Sequence, residues 1–109
     1  MDQTRAIEAF AALAQDSRMA IYRMLVRKEP TGLPVGEISR QLNIVPSTLS
    51  GHLAILKRAG LLNSTRHQRE IHYTANMTVM RELVGFMLED CCNGQIDRCT
   101  EILTMLETP

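Results

Sequence analysis

No apolar run in this sequence approaches the roughly 18 residues that a membrane span requires, and Met1-Asp2-Gln3 opens it without a basic stretch leading into an apolar block. No membrane partner and a cytoplasmic location are therefore expected. Cysteine is scarce. Cys91, Cys92 and Cys99 cannot all pair within one chain, and a reducing compartment keeps them as thiols, so they read as ligands or reactive groups rather than staples. There is no glycine-rich phosphate loop and no nucleophile elbow, and Glu89-Asp90 beside the cysteines has no histidine base nearby. A non-enzymatic protein without an organic cofactor is expected. Repeats and low-complexity tracts are absent as well.

Net charge is missing too, because 12 basic side chains balance 12 acidic ones. The balance is uneven along the chain. Residues 1–75 carry ten basic and six acidic groups, a net +4, whereas 76–109 carry Arg81 and Arg98 against six acids, a net −4. A basic body can lie on nucleic acid while the tail end cancels it overall. At 109 residues, 45% hydrophobic and 22% charged, the composition is that of a single globular domain over 1–109.

Apolar Ala6, Ile7, Phe10, Leu13 and Ala14 recur at helical spacing after a cap at Asp2 or Thr4, predicting a first helix over about 3–15. Asp16-Ser17 caps a second, striped by Ala20, Ile21, Met24 and Leu25. Glu29 to Pro34, with two prolines around Gly32, reads as loop. Val35, Ile38 and Leu42 share one face of a short third helix that ends at Asn43. After Ile44 and Val45, a fourth runs from about Pro46 to Ala59 with Leu49, Leu53 and Leu56 inward. Two short helices joined by so brief a turn make a helix-turn-helix. Beyond Gly60 the period falls to 2. Leu62 to Arg66 can pair with a strand carrying Ile71 and Tyr73 around a tip at His67-Gln68, forming a β-hairpin, or wing.

Asn76 caps a fifth helix from Met77 to about Asp90 that is apolar around most of its circumference, which predicts burial against a second subunit. Ile7, Phe10, Val79, Leu83, Phe86 and Met87 are the residues expected at that interface. Asn93-Gly94 breaks the helix, and a last amphipathic piece follows in the segment 91–107. The resulting fold class is mainly α with a small β-hairpin, a dimeric winged helix-turn-helix. Its reading motif falls at about 34–75 and its dimerisation helices at 3–15 and 77–90.

On a wheel of 100° per residue, the face of the fourth helix opposite its leucines carries Ser47, Gly51, Ala54 and Arg58, flanked by Thr48 and Ser50. Small residues let a helix sink into a major groove, hydroxyls bond base edges or phosphates, and Lys57 or Arg58 can hold the backbone. A plain surface helix is the alternative. His52 falls at the boundary of the core stripe, where a packed histidine competes with a base reader. Arg66, His67 and Arg69 at the wing tip can enter a minor groove or grip phosphate, or form a solvated turn.

The strings Ala12-Leu13-Ala14-Gln15-Asp16-Ser17-Arg18, Val35-Gly36-Glu37-Ile38, Ser47-Thr48-Leu49-Ser50-Gly51-His52-Leu53-Ala54-Ile55-Leu56 and Ala59-Gly60-Leu61-Leu62, with a wing ending at Tyr73, resemble the ArsR/SmtB family over roughly residues 4–90. That resemblance implies a homodimeric repressor on an inverted repeat of double-stranded DNA, which releases it when a metal or metalloid binds. The chain departs from the family pattern at Gly51, where many relatives carry a longer side chain. It also departs at Val45, which lacks the usual capping hydroxyl, and at the wing tip, which lacks glycine.

The Cys-x-Cys pair that many arsenic-sensing relatives carry is absent from Val35 to Leu42, and the histidines of zinc-sensing relatives are absent from Met77–Asp90. Cys91, Cys92 and Cys99 remain, and the resemblance implies a precedent in arsenic sensors that use a C-terminal vicinal pair plus a third cysteine. Three thiolates without an imidazole favour a soft centre, and a trivalent metalloid needs only three sulfurs because its lone pair occupies the fourth direction. Arsenic(III) is thus the expected inducer, with antimony(III) as its analogue. In one unbroken helix Cys92 and Cys99 would stand about 10.5 Å apart along the axis. Either Gly94 turns the chain back or Cys99 comes from the partner subunit. Two other readings stay open: a thiol-based redox or reactive-sulfur sensor in which Cys99 resolves an oxidised Cys91 or Cys92, and an architectural DNA-binding protein with inert thiols.

Overall fold

The computed structural model describes residues 1–89 together with Glu101, Thr104 and Met105. The segment carrying Cys91, Cys92 and Cys99 lies outside the described residues. Helix α1 (Gln3–Leu13) starts where Asp2 accepts the Arg5 N–H at 2.8 Å through its side chain. That bond satisfies one of the four donors a helix start leaves open. Helix α2 (Asp16–Arg27) is capped by Gln15, whose Oε1 accepts the Arg18 N–H at 2.9 Å. Asp16-Ser17 had been the expected cap. Gln15 holds the extended conformation a cap needs, and Asp16 sits inside the first turn, where its carboxylate complements the helix dipole.

The predicted loop before the third helix contains a two-residue strand, β1 (Leu33–Pro34). It pairs antiparallel with β3 (Glu70–Ala75), Leu33 opposite Tyr73 and Pro34 opposite His72. Proline is tolerated because the strand is at the sheet edge. Gly32 allows the approach: its φ is +69°, and a Cβ there would collide with the Tyr73 carbonyl. Strand β2 (Leu62–His67) completes an order of β1-β3-β2, in register from Leu62 opposite Ala75 to His67 opposite Glu70. The wing tip is therefore Gln68-Arg69, one residue later than expected, with Gln68 in the left-handed region at φ +57°.

Helix α3 (Val35–Leu42) ends at Asn43, which is left-handed as anticipated. Ser39 fastens the turn that follows: its carbonyl accepts the Ile44 N–H at 3.1 Å and its hydroxyl donates to the Ile44 carbonyl at 2.6 Å. Helix α4 (Pro46–Arg58) then begins with proline in its first turn and Val45 ahead of it, with no side-chain cap bond. Ile21, Leu25, Ile38, Leu49, Leu53, Leu56 and Leu61 are the largest fully buried side chains, and Ala6, Ala9 and Ala12 bring α1 close over them.

Helix α5 (Met77–Leu88) is capped by Asn76. Its apolar belt divides in two. Val79 and Leu83, expected to face a second subunit, are buried in the protomer's own core and leave nothing to present outward. Phe86 is half-buried against the same core, whereas Val84 and Met87 are exposed.

Tyr22 is buried, and its hydroxyl has no hydrogen-bond partner among the described residues. Burial, aided by the Glu29 carboxylate, raises its phenol above the ordinary value of 10.0. The folded chain therefore holds this proton more tightly than the unfolded chain. Its contribution to stability is complete below about pH 10 and is lost as pH rises through the folded value. Removing an unsatisfied buried hydroxyl relieves about 1 kcal/mol. Urea denaturation of Tyr22→Phe should show a gain of that order at pH 7 and a shallower decline in stability above pH 10.

Candidate nucleic-acid interface

With its three leucines buried, α4 leaves Ser47, Thr48, Ser50, Gly51, Ala54, Lys57 and Arg58 exposed, which is the predicted face. A Cβ on Gly51 would meet nothing within 4 Å, so packing within the protomer does not demand glycine there. Val45 stands at the tip of this face with 65% of its surface exposed. His52 is half-buried and turned toward the protein, with Nδ1 3.5 Å from the Arg18 guanidinium. Arg18 also donates from Nε to the Ala12 carbonyl at 2.5 Å, tying the end of α1 to the middle of α4.

Lys57 donates to Ser64 Oγ at 2.6 Å, which fastens the last turn of α4 to strand β2 and places the cation between helix and wing. At the tip, Arg66 donates from Nε to the Gln68 carbonyl at 3.2 Å and braces the turn. Arg66, His67 and Arg69 are exposed. The rings of His67 and His72 lie 4.4 Å apart, and His72 Nε2 is 3.4 Å from the Glu70 carboxylate. Glu37 at the start of α3 bonds Gln41 at 2.7 Å and pairs with Arg40, which together hold its carboxyl below the usual range. This acid is thus matched by a cation beside the wing.

Three participants were not anticipated: Arg18, Ser64 and His72. Arg18 and Ser64 act through partners 34 and 7 residues away, so no local pattern announces them. His72 lies on the strand beside Ile71 and Tyr73, and only its contacts with Glu70 and His67 bring it to the wing tip. Among the described residues, no three His, Cys, Asp or Glu side chains are grouped to hold a metal ion, and no helix is long and apolar enough to cross a membrane.

Away from α4, Ile7 is 57%, Phe10 42% and Met87 58% exposed. Phe10, Met80, Val84 and Met87 help line an apolar groove of about 240 Å³ between α1 and α5. Of the residues expected at a subunit interface, Ile7, Phe10 and Met87 are exposed, and Val84 is exposed beside them.

Residues 13–65 match the helix-turn-helix domain family. The chain is 34% identical over 93 residues to the transcriptional activator HlyU of Vibrio cholerae, covering 85% of this chain and 83% of that protein. It is 31% identical over 88 residues to the transcriptional repressor SdpR of Bacillus subtilis, covering 81% and 94%. Among solved structures, HlyU from Vibrio cholerae superposes with a TM-score of 0.66 at 31% identity over 84% of this chain and 99% of that one. An ArsR-like transcriptional regulator from Rhodococcus sp. RHA1 superposes at 0.68 and 23% identity over 94% and 92%, a likeness of fold.

Arg66 and Arg69 are exposed cations at the wing tip, suited to gripping phosphate. Each arginine-to-alanine variant should weaken binding to every duplex alike and lower the slope of log K against log salt by about one. Fluorescence anisotropy across a salt series measures this, and a loss confined to one sequence would contradict it.

Proposed function

Because the chain belongs to the helix-turn-helix transcriptional regulators, we propose that it is a winged-helix repressor of the ArsR/SmtB type that binds an inverted-repeat operator as a homodimer. Arsenic(III), or antimony(III), captured by Cys91, Cys92 and Cys99 releases it. The observation that carries the DNA-binding part is the uncharged outer face of α4 followed directly by Lys57 and Arg58 and flanked by the exposed Arg66 and Arg69 of the wing. In a dimer the two α4 helices would enter successive major grooves about one turn apart, each wing lying along the flanking duplex.

A second copy covers the exposed face of α1 and α5. Ile7, Phe10, Val84 and Met87 form an apolar surface on two helices, and a monomer would have to leave it in water. A charge placed there opposes association. Met87→Glu should sediment as a monomer in analytical ultracentrifugation and bind a two-half-site operator far more weakly, with its circular dichroism spectrum unchanged.

The inducer reading rests on thiol chemistry. The three cysteines are the only soft ligands in the chain apart from methionine sulfur, and they follow α5 directly in sequence. A ligand that gathers them beside the dimer helix can tilt one reading head against the other, and a 100-fold loss of DNA affinity corresponds to about 2.7 kcal/mol of coupling. Arsenite should release wild-type protein from operator DNA in a gel shift under reducing conditions. Cys99→Ser should bind DNA normally and resist release; full release of that variant would refute the three-sulfur site.

A further inference from the structure

We propose that the start of α4 reads thymine through its C5-methyl group, with Val45 and Thr48 as the specificity-determining residues, so that each half-site is defined by T·A pairs rather than by guanines. This deepens the operator-binding reading and rests on it.

The first ground is what the reading face cannot do. Guanine and adenine are distinguished in the major groove by bidentate side chains, Arg or Lys for guanine and Asn or Gln for adenine, and cytosine by a carboxylate. From Val45 to Leu56 none of these residue types occurs. His52, the one ring with hydrogen-bonding nitrogens in that stretch, is half-buried against Arg18. Lys57 is engaged by Ser64, and Arg58 lies 11 residues beyond Ser47, about 16 Å along the axis, where a docked helix meets backbone rather than bases.

The second ground is what Val45 gives up. A hydroxyl or carboxylate at a helix cap satisfies an open backbone donor, whereas Val45 makes no such bond. As an apolar side chain it gains little by burial, being 65% exposed. The β-branch suits the extended backbone required ahead of Pro46, but packing within the protomer does not account for an apolar side chain in that position. A thymine methyl, the one apolar group on the major-groove edge of the base pairs, is its chemical complement. Thr48 is exposed and stands three residues on, in the N3 position that neighbours a cap, and it offers a second methyl. Ser47 and Gly51 beside it carry too little side chain to hold the helix away from the groove floor.

The test uses the full chain and a randomised duplex pool. Retained duplexes should carry T·A pairs at the positions facing α4 in both half-sites. Each thymine is then replaced by deoxyuridine, which removes the methyl and leaves every hydrogen-bonding edge in place. A contacted methyl should be worth about four-fold in affinity. Thr48→Ser and Val45→Ser should each bind the thymine and deoxyuridine duplexes equally at one position and keep the wild-type preference at the other. Selected half-sites that require guanine there, or wild-type protein that binds the deoxyuridine duplex as tightly as the thymine duplex, would overturn the inference while operator binding stands. Retention of no duplex at all would overturn operator binding and the inference together.

Discussion

The burial of Leu49, Leu53 and Leu56 against Ile21, Leu25 and Ile38 is the constraint on which the rest depends. Three leucines on one stripe fix the roll of α4 about its own axis, and a helix whose roll is fixed has its outer face chosen for it. Ser47, Thr48, Gly51 and Ala54 are outward because the leucines are inward. Each buried leucine gains about 1.5–3 kcal/mol over exposure. A rotation of α4 that exchanged the two faces would forfeit all three gains, so the reading face is as secure as the core itself. The tight turn through Asn43 and Ile44 sets where α4 begins relative to α3, and Ser39 holds that turn from both sides.

Two polar links connect this rigid centre to the parts that must act with it. Arg18 joins the Ala12 carbonyl at the end of α1 to His52 on α4, and Lys57 joins the end of α4 to Ser64 on the wing. Helix α1 also presents Ile7 and Phe10 to solvent, so the surface suited to a second subunit and the surface suited to DNA share one short chain of contacts. A tilt of α1 at a subunit interface would be felt at α4 through Arg18. The overall charge of zero conceals the same polarity, because ten of the twelve basic side chains fall in residues 1–75 while half of the twelve acids fall after residue 76.

Much of the architecture was legible in the sequence because it is set by local periodicity. The 3.6-residue spacing of apolar side chains placed five helices, Pro46 and Asn43 bounded the turn between α3 and α4, and the change to a period of 2 after Gly60 located the wing. Where the local signal was ambiguous the reading slipped. Gln15 rather than Asp16-Ser17 caps α2, since a long amide reaches back as well as a short carboxylate does. The wing turned at Gln68-Arg69 because cross-strand register, not turn composition, decided which two residues were left unpaired.

What the sequence by itself determined is the order of helices α1 to α5 and the wing hairpin, and which face of α4 points outward, for these depend on neighbours within a turn or two of chain. Tertiary structure alone decided the rest. It brought Leu33-Pro34 beside Tyr73 and His72, about forty residues downstream, and made a third strand where composition indicated loop. It also divided the apolar belt of α5, sending Val79 and Leu83 inward and Val84 and Met87 outward. A helix apolar on nearly every side carries no internal record of which side meets its own core, and that choice belongs to the packing of α1 and the sheet against it.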